Sequence, residues 1–89
     1  KVLWGEGKKV APEYPISALN KGVQGCARIG FIVESDGTTS NHRPLAATHD
    51  RFIPPSIEAA KKFRYEATES NPERRPVFTT NNFTMTKIF

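Results

Sequence analysis

The side chains best suited to chemistry in this sequence are one cysteine, two histidines and three spaced glutamates. Cys26 stands in an apolar stretch. It lacks the second cysteine, neighbouring histidine or helix N-terminus that would activate a thiol, so it reads as an inert strand residue. His42 and His49 have no cysteine pair or ordered carboxylate spacing beside them, so no metal site is expected. Glu66, Glu69 and Glu73 come nearest to paired carboxylates, but Asn71-Pro72 places them in a polar loop. Gly5-Glu6-Gly7-Lys8-Lys9 lacks the spacing of a phosphate loop. Asn82-Phe83-Thr84 matches a glycosylation acceptor, yet it falls inside a predicted strand. No nucleophile elbow or Ser/His/Asp arrangement is present. The expectation is a protein that is not an enzyme, with no catalytic residue, metal or cofactor.

Composition narrows the remaining classes. The chain has 89 residues, enough for one small domain with a modest core. A single cysteine excludes an internal disulfide framework. No apolar run reaches the ~18 residues of a membrane span. The net charge is +4, which admits acidic partners. Lys8-Lys9, Lys61-Lys62 and Arg74-Arg75 are scattered pairs with glutamates nearby, not the one-sign stripe of a nucleic-acid binder. No nucleic-acid partner is therefore expected. The sequence opens Lys-Val-Leu-Trp, with no methionine and no charged leader before an apolar stretch. We expect a piece of a longer protein whose targeting and anchoring segments lie elsewhere.

The elements that would position any site follow from periodicity and turn residues. Residues 1–11 read as an N-terminal extension or linker end. Val2, Leu3 and Trp4 pack on the domain or form an edge strand, and Gly5–Lys9 forms a flexible turn or linker. Pro12-Glu13-Tyr14-Pro15 is stiff. Pro15 can start a short helix over 15–21, with Ile16 and Leu19 on one face, Ala18 beside them and Gly22 at the stop. Residues 25–33 read as a strand with Ala27, Ile29, Phe31 and Val33 toward the core. Asp36-Gly37 marks a hairpin turn. The return strand, about 38–47, is polar and contains Pro44, which suits an edge. A helix over about 55–65 carries Ile53, Ile57, Ala60 and Phe63 as its apolar stripe, with Glu58 and Lys62 as a surface pair. Residues 66–75 form a loop, and 76–89 a final strand rich in Thr, Phe and Val. The order is α-β-β-α-β. Two helices covering one face of a three-stranded sheet would bury these stripes.

One constellation is more specific. It comprises Pro12-x-Tyr14-Pro15, Ala18, Gly22, Gly25, Phe31-x-Val33, Asp36-Gly37, Ala60, Phe63-Arg64-Tyr65 and Phe83. Over residues 12–89 the sequence resembles the C-terminal domain of the TonB family of energy transducers. Phe63 stands where the family often has tryptophan, and no proline follows Tyr65 closely. The resemblance implies a two-layer α+β fold with both helices on one face and an antiparallel sheet in the order strand 2, strand 1, strand 3. That order puts the most apolar strand in the centre and the last strand at an edge.

The resemblance also implies a function. Such domains are periplasmic tips of proteins anchored in the inner membrane. They bind a short segment of an outer-membrane transporter, and the inner-membrane motor proteins act through the rest of the chain. An open strand edge can accept an extended peptide as an added strand. The expected partner-binding residues are the edge Thr79, Thr80, Asn81, Asn82, Phe83, Thr84 and Met85, with Tyr14 and Pro15 near the peptide's path. Arg64 would support an acidic group of the partner. Phe31, Phe63, Tyr65 and Phe83 match the family's aromatic positions and read as core. Open edges also allow a homodimer by strand exchange. The alternative is a TolA-like or other periplasmic protein-binding domain with no role in energised import. A basic nucleic-acid module and a secreted enzyme or inhibitor are weaker readings.

Overall fold

The computed structural model of the chain describes residues 2–86. In chain order the elements are β1 (Trp4–Lys8), α1 (Ile16–Asn20), β2 (Gly25–Val33), β3 (Thr39–Ala47), a 3-10 turn (Asp50–Phe52), α2 (Ile53–Lys61), β4 (Arg64–Ala67) and β5 (Val77–Met85). The three-stranded antiparallel sheet has the order β3-β2-β5, and β1 pairs with β4 in a separate antiparallel ribbon. The fold is mixed α+β with two helices, and the apolar strand is central as expected. A single sheet was too simple: the ribbon adds two strands to the expected order.

The period-two reading of β2 holds in full. Ala27, Ile29, Phe31 and Val33 are each at most 1% exposed. Ala18, Phe52, Ala59, Ala60, Phe63, Phe83 and Met85 complete the buried cluster on that face. The aromatic members interlock. Phe63 lies edge-on to Phe31 with ring centroids 6.1 Å apart, and 5.6 Å from Phe83. Tyr65 packs 6.2 Å from Phe31. These matched positions are thus core packing.

Helix boundaries differ from expectation for identifiable reasons. α2 starts at Ile53, so Pro54 and Pro55 occupy its first turn, where a missing N–H breaks no bond. It ends at Lys61, not near 65. Phe63-Arg64-Tyr65 leaves the helix and enters β4, because Phe63 must reach the core beside Phe31. Part of the expected 66–75 loop is therefore strand. Glu58 pairs with Lys61 at 3.0 Å, not with Lys62. In α1 the buried residue is Ala18, while Ile16 is 74% exposed and Leu19 is also exposed. Five residues are too few for an amphipathic stripe to set the facing. β5 ends at Met85, and the expected continuation to 87–89 lies outside the described residues.

Gly5–Lys9, expected as a turn or linker, is mostly strand β1. Its register runs from Trp4↔Ala67 to Lys8↔Arg64. Trp4 anchors it: the ring is buried, and its Nε1–H donates to the Arg75 carbonyl at 2.6 Å. The Arg74 guanidinium sits 5.6 Å from the ring centroid. Buried Asn71 organises the loop above it by accepting the Arg75 N–H through Oδ1 at 2.8 Å. The ribbon meets the hairpin between β2 and β3 where the Tyr65 N–H donates to the Gly37 carbonyl at 2.8 Å. A Cβ on Gly37 would stand 2.3 Å from the Tyr65 oxygen, and its φ is +87°, so glycine is required there twice over. The molecule measures 47 × 24 × 19 Å along its principal axes.

Candidate functional site

β5 pairs with β2 without a register shift, from Val77↔Val33 to Met85↔Gly25. Which of its main-chain groups remain free follows from one contact on the opposite side of β2. The Thr48 N–H donates to the Cys26 carbonyl at 3.0 Å, and the Cys26 N–H donates to Thr48 Oγ1 at 3.0 Å. Cys26 therefore turns its main chain toward β3. Alternate residues of a regular strand aim their N–H and C=O to opposite sides. Ala27, Ile29, Phe31 and Val33 thus bond toward β5, using the main chain of Phe83, Asn81, Thr79 and Val77.

The other row of β5 faces outward. Phe78, Thr80, Asn82 and Thr84 direct their N–H and C=O away from the sheet. Among the described residues no backbone hydrogen bond from another segment reaches them. Asn81 Nδ2 donates to the Asn82 carbonyl at 3.3 Å, a weak local contact on that row. β5 holds no proline, so all four outward N–H groups are donors. The strand is gripped from one face: Phe83 and Met85 are buried, and Val77 packs on the core.

A donor and acceptor row with an unbroken register can receive one extended chain by main-chain pairing. Among the described residues no three His, Cys, Asp or Glu side chains stand together so as to hold a metal ion.

The family profile for the Gram-negative bacterial TonB protein C-terminal matches residues 10–85. The chain belongs to that family. Its fold is similar to the solution NMR structure of the Pseudomonas aeruginosa TonB CTD, with a TM-score of 0.77 and 21% identity. That match covers 98% of this chain and 89% of the other. No curated sequence matches closely enough to add to the assignment.

Within this TonB C-terminal domain the expected site residues divide into three places. Thr79–Met85 all lie on β5, but only Thr80, Asn82 and Thr84 present main chain outward. Thr79, Asn81, Phe83 and Met85 use theirs against β2 and hold the strand from its inner face. Tyr14 and Pro15 lie toward the Met85 end. Tyr14 Oη–H donates to the Val23 carbonyl, two residues before Gly25, and its ring meets Phe52 edge-on at 6.1 Å. Pro15 is the N-cap of α1, and its carbonyl accepts the Leu19 N–H at 2.9 Å.

Arg64 lies elsewhere. It opens β4, one residue before the contact with Gly37, toward the Val77 end of the sheet. Its Nη1 donates to the carbonyls of Phe63 at 2.7 Å and Lys61 at 3.2 Å. The guanidinium caps the end of α2, and it does not join Tyr14 and Pro15.

Phe78 and Lys9 were outside the expected set. Phe78 carries an outward main chain and a side chain 57% exposed. Its place in the Phe78, Thr80, Asn82, Thr84 alternation was the available signal. Lys9 Nζ donates to Asn81 Oδ1 at 2.9 Å, pairs with Glu6 at 2.8 Å, and stands 5.6 Å from the Phe63 centroid. No local pattern links residue 9 to residue 81.

Proposed function

We propose that this domain is the periplasmic tip of an energy transducer anchored in the inner membrane. It binds a short extended segment of an outer-membrane transporter as an added strand on β5, and carries out no catalysis. The observation that carries the reading is the outward row Phe78, Thr80, Asn82 and Thr84 on an unbroken, proline-free edge. Membership of the TonB C-terminal family supports it. Main-chain pairing suits a mechanical link, because several bonds share the load and depend little on side-chain identity. Inner-membrane motor proteins would act through the rest of the parent chain, and no helix of the described residues is long and apolar enough to cross a membrane.

Thr80→Pro tests this directly. Its outward N–H is not part of the β2 ladder, so the sheet tolerates the change. Titration of the 15N-labelled domain with peptides from the periplasm-facing termini of outer-membrane transporters should move the amides of Phe78, Thr80, Asn82 and Thr84. Thr80→Pro should weaken binding about tenfold, the effect of one good hydrogen bond plus the ring's obstruction. Unchanged affinity in a folded Thr80→Pro domain would remove strand addition from consideration. The same edge can take a second copy by strand exchange. In that case sedimentation shows a dimer that dissociates on adding the peptide.

A further inference from the structure

The face of the sheet turned away from the core is uncovered among the described residues, and around Arg28 its charge is positive. All nine side-chain carboxylates lie outside β2, β3 and β5, and the one that reaches β3, that of Glu34, sits at the hairpin end, where the Ser40 hydroxyl donates to it. These strands carry two arginines, Arg28 and Arg43, both exposed. Arg28 Nε donates to Asn82 Oδ1 at 2.9 Å, which fixes the guanidinium over the sheet. The ion pairs of the described residues, Lys9–Glu6 and Lys61–Glu58, leave Arg28 without a carboxylate.

Two further features adjoin Arg28. An open hollow of about 410 Å³ spans the three strands, lined by Cys26, Arg28, Ala46, Asn82 and Thr84 among others. Beyond it Phe78 and Leu45 lie over the backbone of Gly30 from opposite sides. A Cβ on Gly30 would stand 2.7 Å from Phe78 Cζ and 3.1 Å from Leu45 Cδ1. Both side chains also show apolar surface to solvent, 57% and 46% exposed. A fixed cation beside an apolar shelf selects a ligand with an anion and an apolar group at matching distance.

We propose that this open face is a second docking surface, separate from the β5 edge, for an extended acidic segment of a partner protein. A carboxylate of the segment pairs with the Arg28 guanidinium. A large apolar side chain two residues away rests on the Leu45–Phe78 shelf. The spacing follows from Arg28 and Gly30 being two residues apart on β2, about 7 Å, which is the i to i+2 step of an extended peptide. A second copy of this chain packed face to face fits poorly, since it would bring uncompensated arginines together.

The experiment is a titration of the 15N-labelled domain at low salt with acetyl-Gly-Ser-Asp-Ser-Leu-Ser-Gly-amide. Amides of Arg28, Gly30 and Leu45 should shift. A Lys-for-Asp peptide should leave them unmoved. Arg28→Gln should weaken binding about fivefold, the upper range for an exposed ion pair. Leu45→Ser, on β3 and across β2 from the β5 edge, should weaken it independently and leave binding of the transporter-terminus peptide at β5 intact. The proposal fails if no shifts occur, if the lysine peptide binds equally, or if Leu45→Ser leaves binding unchanged, since the peptide would then sit on the edge. It also fails if phosphatidylglycerol vesicles move these amides and the peptide does not. Because Leu45 belongs to the open face and not to the β5 edge, loss of one surface leaves the other standing.

Discussion

β3 and β5 flank the same central strand, yet their free edges are built in opposite ways. β3 shifts register against β2 twice, between Arg28 and Ile29 and between Gly30 and Ile32. Pro44 lacks an N–H, and Asn41 sits at φ +51°. Thr39 Oγ1–H ties β3 to α2 by donating to the Ala60 carbonyl at 2.7 Å. Such bulges, prolines and covering contacts are the usual protection of an edge against unwanted pairing. Among the described residues β5 has none of these devices. It keeps nine residues in register and, among the described residues, is held through β2, its buried inner face and the Lys9 contact to Asn81. An edge left open beside one so thoroughly blunted is the arrangement expected where a strand is to be received on one side only.

The strongest way to break this contrast is to release the inner grip on β5. Phe83→Ala removes a ring only 4% exposed and should destabilise the domain by about 3–5 kcal/mol in urea unfolding. Leu45→Ala on β3, where the side chain is half in solvent, should cost less than about 1 kcal/mol. Similar losses at the two positions would show that β5 is not the strand anchored from below.

A matched pair of prolines sharpens the contrast next. Thr80→Pro on β5 is expected to weaken peptide binding about tenfold. Ala47→Pro on β3 also replaces an outward N–H, by the alternation that turns Thr48 inward to Cys26. It should leave peptide affinity unchanged, as measured by the same titration. Equal losses would mean that the peptide does not distinguish the two edges. A smaller effect is expected at the bend of β3. Asn41→Val forces a β-branched residue to a positive φ and should cost about 1–2 kcal/mol in thermal or urea unfolding, whereas Asn41→Gly should be nearly neutral.

Much of the sheet was legible in the sequence because its signal is local. Ala27, Ile29, Phe31 and Val33 alternate within one strand, and Pro44 marks an edge without reference to any partner. The ribbon was not legible. β4 has four residues, and its partner β1 lies some sixty positions earlier, so neither segment carries a pattern that predicts the other. In α1 it is Ala18 that faces the core, not Ile16 or Leu19, because five residues are too few for a periodic stripe to announce the facing. The candidate site was half legible: β5 could be recognised as an edge strand, but the parity of its free main chain could not. That parity depends on Thr48 meeting Cys26, a pairing across 22 positions. Arg64 lies at the end of α2, as its sequence position suggested, but that its guanidinium turns to the carbonyls of Lys61 and Phe63 depends on where the helix stops.

The smallest effect concerns pH and belongs to β3 alone. His42 Nε2 lies 2.8 Å from Thr39 Oγ1, whose own proton goes to the Ala60 carbonyl. The hydroxyl can therefore only accept from the ring, so the neutral imidazole carries its proton on Nε2. A second proton must enter at Nδ1, placing a cation on a partly buried ring 5.9 Å from Phe31. Desolvation, with a further push from Lys61, holds the His42 pKa below its ordinary value, against a smaller opposing pull from Glu58. The unfolded chain therefore takes up this proton first as pH falls below about 6.5. Stability from this residue is fully present above that value and declines beneath it, at no more than about 1.4 kcal/mol per pH unit. His42→Gln keeps a donor for Thr39 but cannot titrate, so its urea midpoint should fall less than that of the parent between pH 7 and pH 5.5. Parallel midpoints in the two proteins would exclude His42 as the source. Peptide binding at β5 should be the same in both proteins at pH 7, since the titrating ring sits on the blunted side of the sheet.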